Sequence, residues 1–169
     1  MNVAVTGHQD LGTAEAMHWV EGAIEKAVDS VHLTKGYTCL AIGADQLFAK
    51  ILLVRGIPFV AIIACSGIES SFSTDVDRKS FRRLLGSASE TIKLSFDAPS
   101  ERAYFEAGRT AVDKSDMLIA VWNGRPAKGL GGTGDVVQYA KSTGKMVIHV
   151  DLVARKVINL DPSTIVRDS

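Results

Sequence analysis

Cysteine is scarce in this chain, with two among 169 residues, and neither Cys39 nor Cys65 has a partner at Cys-x-x-Cys spacing. Paired-cysteine metal motifs are thereby excluded. Both cysteines sit in or at the end of strand-like runs where a small hydrophobe is wanted, so they read as inert core or pocket-wall thiols. Net charge is absent too, because 19 Lys plus Arg balance 19 Asp plus Glu. No long-range field gathers nucleic acid or an anionic membrane, and a nucleic-acid partner would need a local basic patch that the sequence lacks. Long apolar runs are missing: the longest, Ile57 to Cys65, is interrupted by Pro58 and falls far short of the roughly 20 residues a membrane-spanning helix requires. The amino terminus has neither the basic start nor the apolar segment of a secretory signal, so a cytoplasmic location without a membrane partner is expected. Charged residues are only 22% while hydrophobic ones reach 46%, which excludes disorder, collagen-like repeats and coiled coil. Without repeats, low-complexity tracts or a linker, residues 1–169 are expected to form one domain.

What the chain has instead is a regular alternation of two hydrophobic periods. Asn2 to Thr6 is a short apolar strand, and Thr13 to Val31 follows with Met17, Val20, Ile24, Ala27, Val28 and Val31 at helical spacing. Tyr37 to Ile42 reads as a second strand, Gly43-Ala44-Asp45 as a turn, and Leu47 to Val54 as a helix stopping at Gly56. Ile57 to Ala64 is nearly all apolar, the pattern of a strand buried on both faces. Ser66 to Ser73 has no period, Thr74 to Leu85 predicts a helix ending at Gly86, and Thr91 to Phe96 a strand. Ser100 caps a helix over Glu101 to Lys114, and Met117 to Trp122 is the fifth strand. A glycine-rich loop over Asn123 to Gly132 leads to a helix at Thr133 to Ser142, a C′ glycine at Gly144 and a sixth strand at Met146 to Val150. The tail from Asp151 leaves open an edge strand at Val157 to Leu160. About six strands alternating with five helices predict an α/β fold with a doubly wound, mostly parallel sheet and helices on both faces. In such sheets the ligand lies beyond the carboxyl ends of the strands, at the switch in strand order. Function is then expected in the loops 6–12, 43–46, 65–73, 96–100 and 123–135.

The glycine-rich loop matches G-x-G-x-x-G at Gly129-Leu130-Gly131-Gly132-Thr133-Gly134. The dinucleotide fingerprint needs its first glycine directly after the first strand, whereas here the strand is the fifth and Asn123 to Lys128 intervene, so no nicotinamide cofactor is expected. No other resident cofactor and no metal is expected either. A different use fits better: glycines at 131, 132 and 134 let backbone N–H groups and the Thr133 hydroxyl face a phosphate at a helix N-terminus. The plainer alternative is a flexible loop in which Thr133 caps the next helix. Asp135, in the first turn, opposes a nearby phosphate and suits a ribose hydroxyl instead. Gly43-Ala44-Asp45 repeats the arrangement, with Asp45 either capping its helix or accepting from a ligand. Thr6-Gly7-His8 follows the first strand, which places His8 at the switch point or in a solvated turn. Arg102, Glu106, Arg109 and Asp113 lie at helical spacing on one face, while Arg102 and Tyr104 stand at the end nearest the ligand edge.

Together these loops resemble the SLOG superfamily, the Rossmann-like domains related to DNA-processing protein A and to the "lonely guy" phosphoribohydrolases. The resemblance spans roughly Asn2 to Val150 and rests on Val5-Thr6-Gly7-His8, Gly43-Ala44-Asp45-Gln46-Leu47, Tyr104 through Gly108, Ser115 through Gly124, and Gly131-Gly132-Thr133 followed by Asp135-Val136-Val137. It implies binding of a nucleotide or nucleotide-derived ligand, and some relatives cleave N-glycosidic bonds. The chain departs from the phosphoribohydrolases at two positions. Val136 stands where their glutamate follows the Gly-Thr pair, and Ala107 stands where their arginine falls. Asp135 is one residue earlier than that glutamate, about 100° around the helix, and does not inherit its place.

Three functions compete on this sequence. The first is a nucleotide-binding domain, such as a sensor, without glycosidic chemistry. The second is a nucleotide N-glycosidase of the phosphoribohydrolase or deoxyribosyltransferase type, with Asp135 or Glu106 as its carboxylate. The third is a scaffold or DNA-associated homo-oligomer, against which the neutral charge argues unless assembly gathers basic residues.

Overall fold

The computed structural model describes residues 1–127 and 129–160. Seven strands form one sheet in the order β4-β3-β2-β1-β5-β6-β7. They are β1 (Asn2–Gly7), β2 (Lys35–Thr38), β3 (Phe59–Ile63), β4 (Glu90–Lys93), β5 (Met117–Trp122), β6 (Met146–Asp151) and β7 (Lys156–Leu160). The first six run parallel, and only β7 runs antiparallel, against β6. Five helices connect them: α1 (Ala14–Asp29), α2 (Ala44–Val54), α3 (Asp75–Ser87), α4 (Glu101–Asp113) and α5 (Thr133–Ser142). The doubly wound, mostly parallel sheet is therefore as the hydrophobic periods predict, with one strand more than six. The extra strand has a local cause. Asp151 Oδ1 accepts the N–H groups of Val153 and Ala154 at 2.8 and 2.9 Å, and Arg155 adopts φ +48°, so the chain doubles back beside β6. Those N–H bonds also hold the Asp151 carboxyl below the usual range. Residues 161–169, the rest of the expected C-terminal extension, lie outside the described residues.

Alternation along the strands divides the core in two. Val3, Val5, Met117, Ile119 and Val121 point to the face covered by α1, α2 and α3, where Ile24, Phe48, Leu52 and Phe81 meet them. Ala4, Leu118, Ala120 and Trp122 point to the other face, under α4 and α5. Full burial of each large side chain here is worth about 1.5–3 kcal/mol. The second face is built of small residues. Ala103, Ala107 and Ala111 recur every four residues along α4 and are buried, so this helix lies close to the sheet. Gly108 faces Val136 of α5 so tightly that a Cβ there would stand 2.6 Å from Val136 Cγ2.

Several element ends differ from the sequence expectation. The second strand ends at Thr38 rather than Ile42, because the Cys39 N–H donates to the Asp45 carboxylate at 2.8 Å and Leu40 turns to φ +56°. The third helix runs through Gly86 to Ser87, with Thr74 as its cap. Residues 68–71 form a short 3-10 turn in the stretch that shows no period. Thr133 does not cap α5: Gly132 is the N-cap, without a side-chain bond, and Thr133 is the first helical residue.

Candidate functional site

The strand order reverses between β1 and β5, and the loops that leave their carboxyl ends are tied together there. The His8 N–H donates to Val121 O at 3.0 Å, extending the β1–β5 ladder past its last pair. His8 Nε2 accepts the Asn123 N–H at 3.3 Å, so in the neutral ring the proton sits on Nδ1. Asn123 Oδ1 in turn accepts the Arg125 N–H at 3.0 Å, and Trp122 Nε1 donates to Arg125 O at 2.8 Å. The N-terminus of α2 is tied to the same place by the Ala44 N–H, which donates to His8 O at 3.3 Å. Two glycines permit that approach. Gly43 has φ +85°, and a Cβ on it would collide with the carbonyls of His8 and Gln9. A Cβ on Gly7 would collide with Ala44 and stand 2.8 Å from Val121 Cβ.

Over these loops opens a cleft of about 920 Å³. Of the residues expected at a site, Thr6, Gly7, His8, Asp45, Tyr104, Gly131, Gly132, Thr133 and Gly134 line it. Gly43, Ala44, Arg102, Glu106 and Asp135 are not among its lining residues. Gly43 and Ala44 instead hold α2 against the loop after β1. Arg102 is exposed on α4, and Glu106 pairs with Arg109 at 3.2 Å. Asp135 accepts the Gly131 N–H at 2.9 Å through Oδ2, which closes the glycine loop onto the first turn of α5. The loop glycines have packing reasons of their own. Gly131 has φ +88° and its Cβ would stand 2.6 Å from Glu101 O, while a Cβ on Gly132 would stand 2.7 Å from Ala127 Cβ.

The first turn of α5 leaves donors open. The Asp135 and Val136 N–H groups both return to Gly132 O at 3.0 and 3.4 Å. Those of Thr133 and Gly134 meet no acceptor among the described residues. Both residues line the cleft, so the positive end of the helix dipole faces it. On the opposite side stands Asp45, only 4% exposed. It does not cap α2. Its Oδ2 accepts the Cys39 N–H at 2.8 Å and the Thr38 hydroxyl at 3.1 Å. Burial pushes this carboxyl up to about 7, against the pull of those two bonds. Burial likewise pushes the thiols of Cys39 and Cys65 up, disfavouring their thiolates, and Cys39 lies in the cleft wall.

Sequence reasoning located the loops but not every lining residue in them. Arg125, Asn123, Trp122 and Phe72 also line the cleft. Trp122 and Asn123 were legible in principle, since they mark the carboxyl end of a strand beside the switch point. Val136 and Ala107, the two departures from the phosphoribohydrolases, both line the cleft as well. Among the described residues no helix is long and apolar enough to cross a membrane.

Neither a protein-family model nor a curated protein matches the chain. Solved structures do. DNA processing protein A from Streptococcus pneumoniae matches with a TM-score of 0.63 at 17% identity, over 88% of this chain and 49% of that one. The protein of that name from Helicobacter pylori, described for its single-stranded DNA binding mode, gives 0.62 at 14% identity over 88% of this chain and 64% of that one. TM1055, a structural genomics target, gives 0.54 at 14% identity over 87% and 72%. The chain thus spans about half of the first protein and less than two thirds of the second. At such identities the likeness is one of fold, a Rossmann-like, mostly parallel α/β sheet.

Proposed function

We propose that this chain is a SLOG-type domain that binds a nucleotide or nucleotide-derived ligand in the cleft and performs no glycosidic chemistry on it, as suits a sensor. The observation that carries the reading is the pair of N–H groups, on Thr133 and Gly134, that meet no acceptor among the described residues where α5 starts beside the switch point. Such a helix start attracts an anion, and a phosphate has oxygens for both donors. Arg125 lines the same cleft and makes no ion pair among the described residues, so it adds a guanidinium for a phosphate oxygen. Ile42, Ile68 and Phe72 supply apolar wall for a base.

The residues at the two departures cannot support turnover. An isopropyl group at Val136 and a methyl group at Ala107 neither move a proton nor stabilise charge on a ribose. The two carboxylates the sequence offers for such chemistry, Asp135 and Glu106, are engaged by Gly131 and Arg109 and lie off the cleft lining.

A thermal-shift screen of nucleoside phosphates, cyclic nucleotides and ADP-ribose derivatives, followed by calorimetry on the best, tests both parts. At least one of them is expected to raise the melting temperature by mass action. Arg125→Ala is expected to weaken its binding about tenfold, and Gly132→Val to abolish it while the circular dichroism spectrum stays native. No free base is expected on prolonged incubation. A screen without a hit would overturn the binding reading, and base release lost in Asp135→Asn would restore the glycosidase.

A further inference from the structure

The cleft has two ends of different chemistry. At one end are the α5 donors and Arg125. At the other, across β1, stands the buried carboxyl of Asp45, bonded by Cys39, in a cleft whose lining also includes Ile42, Ile68 and Phe72. Neighbouring strands lie about 4.8 Å apart, so the turns after β2 and β5 stand roughly 10 Å apart across β1. That is the reach from the phosphate to the base of a nucleoside monophosphate.

The two oxygens of Asp45 are not equivalent. Oδ2 accepts two hydrogen bonds. Oδ1 has no partner among the described residues, yet it is not one of the fully buried unpartnered atoms, so it opens on the cleft that the residue lines. An oxygen already accepting an N–H and an O–H does not carry the proton. In the neutral acid the proton therefore sits on Oδ1 and points to the ligand side. The titratable and charged groups around the cleft are Cys39 from the turn after β2, His8 and Asp10 from the loop after β1, Tyr104 from α4 and Arg125 from the loop after β5. None of their side chains bonds to the Asp45 carboxyl, and the thiol of Cys39 is itself held neutral by burial. Among the described residues no cation bonds to the acid.

Resting on the nucleotide reading above, we propose that Asp45 selects a base with an unprotonated ring nitrogen, such as adenine, donating its Oδ1 proton to that acceptor while Oδ2 stays anchored to Thr38 and Cys39. When the free carboxyl is ionised, binding takes that proton from solvent, and the charge of the site rises by one. The carboxyl of the free protein titrates close to neutrality, so this uptake falls within an accessible pH range.

The test compares AMP with ribose 5-phosphate, which carries the same phosphate and no base, by calorimetry from about pH 6 to about pH 8.5. The phosphate's own ionisation near pH 6 is common to both ligands and cancels. AMP affinity relative to ribose 5-phosphate is expected to fall about tenfold per pH unit above about pH 7, with a binding heat that changes with the buffer's protonation enthalpy. Asp45→Asn keeps a donor where Oδ1–H was and a carbonyl for Cys39 and Thr38, so AMP is expected to bind it with no such pH dependence. Asp45→Ala is expected to lose at least tenfold for AMP and nothing for ribose 5-phosphate. Parallel pH profiles for the two ligands, an unchanged profile in Asp45→Asn, or binding of other nucleotides but not AMP would overturn the assignment alone. Failure of every nucleotide at every pH would instead overturn the nucleotide reading beneath it.

Discussion

A carboxyl enclosed by protein titrates late, and Asp45 carries that consequence into folding as well as binding. Unfolded, the group ionises near 3.8, and folded near 7. Between those values the native state holds a proton that the unfolded state has released, so the group's contribution is full below the lower value and declines as pH rises to the higher one. The slope is about 1.4 kcal/mol per pH unit. Asp45→Asn has no proton to lose and should show no such decline. Urea melts at about pH 4, 6 and 8 should therefore show the variant gaining on the parent with rising pH, and parallel curves would disprove the burial argument. The role of this residue was only half legible beforehand. An Asp in the first turn of a helix after Gly reads equally as a cap or a ligand contact, and what decides between them is a turn from another element, Thr38 and Cys39, that reaches its carboxylate. Asp135 shows the converse: its charge and place are plain in sequence, but its bond to Gly131 N–H depends on how the glycine loop folds back.

At the scale of elements, the site depends on how closely α4 and α5 approach. Gly108 meets Val136 with no room for another carbon, and both line the cleft. Gly108→Leu should push α5 outward, costing about 1–3 kcal/mol by overpacking and displacing the Thr133 and Gly134 donors. Gly108→Ala with Val136→Ala should be far less disturbed than Gly108→Ala alone. A double-mutant cycle by denaturant melts measures that coupling, and additive effects would place the contact elsewhere. Helix and strand ends inside the long periodic segments followed from sequence: β5 and α5 fall at Met117–Trp122 and Thr133–Ser142 as the periods require. The second strand did not, because Cys39, Leu40, Ala41 and Ile42 are apolar for a reason other than pairing. Leu40 fills the core while Cys39, Ala41 and Ile42 form cleft wall, and a hydrophobic period does not distinguish that from a ladder.

For the molecule as a whole, the balance of 19 basic and 19 acidic residues bears on the fold it shares with DNA processing protein A. Phosphate-backbone binding draws most of its strength from released counterions, which requires an excess of positive charge. A fluorescent single-stranded oligonucleotide is therefore expected to show no saturable binding to the monomer at physiological salt in an anisotropy titration. Tight, salt-sensitive binding would mean that assembly collects basic residues the single chain keeps dispersed. The architecture at this scale was legible because short apolar strands such as β1 and β5 alternate along the chain with amphipathic helices. The antiparallel β7 was less so, since its return is set by one carboxylate, Asp151, gripping two N–H groups.

The indole of Trp122 forms part of the cleft wall, with its ring 5.2 Å from that of His149. The chain has one other tryptophan, Trp19, which sits on α1 and is not among the lining residues. The protein thus contains its own optical probe. Emission from Trp122 reports directly on what fills the cleft, and Trp19→Phe removes the constant background against which it is read.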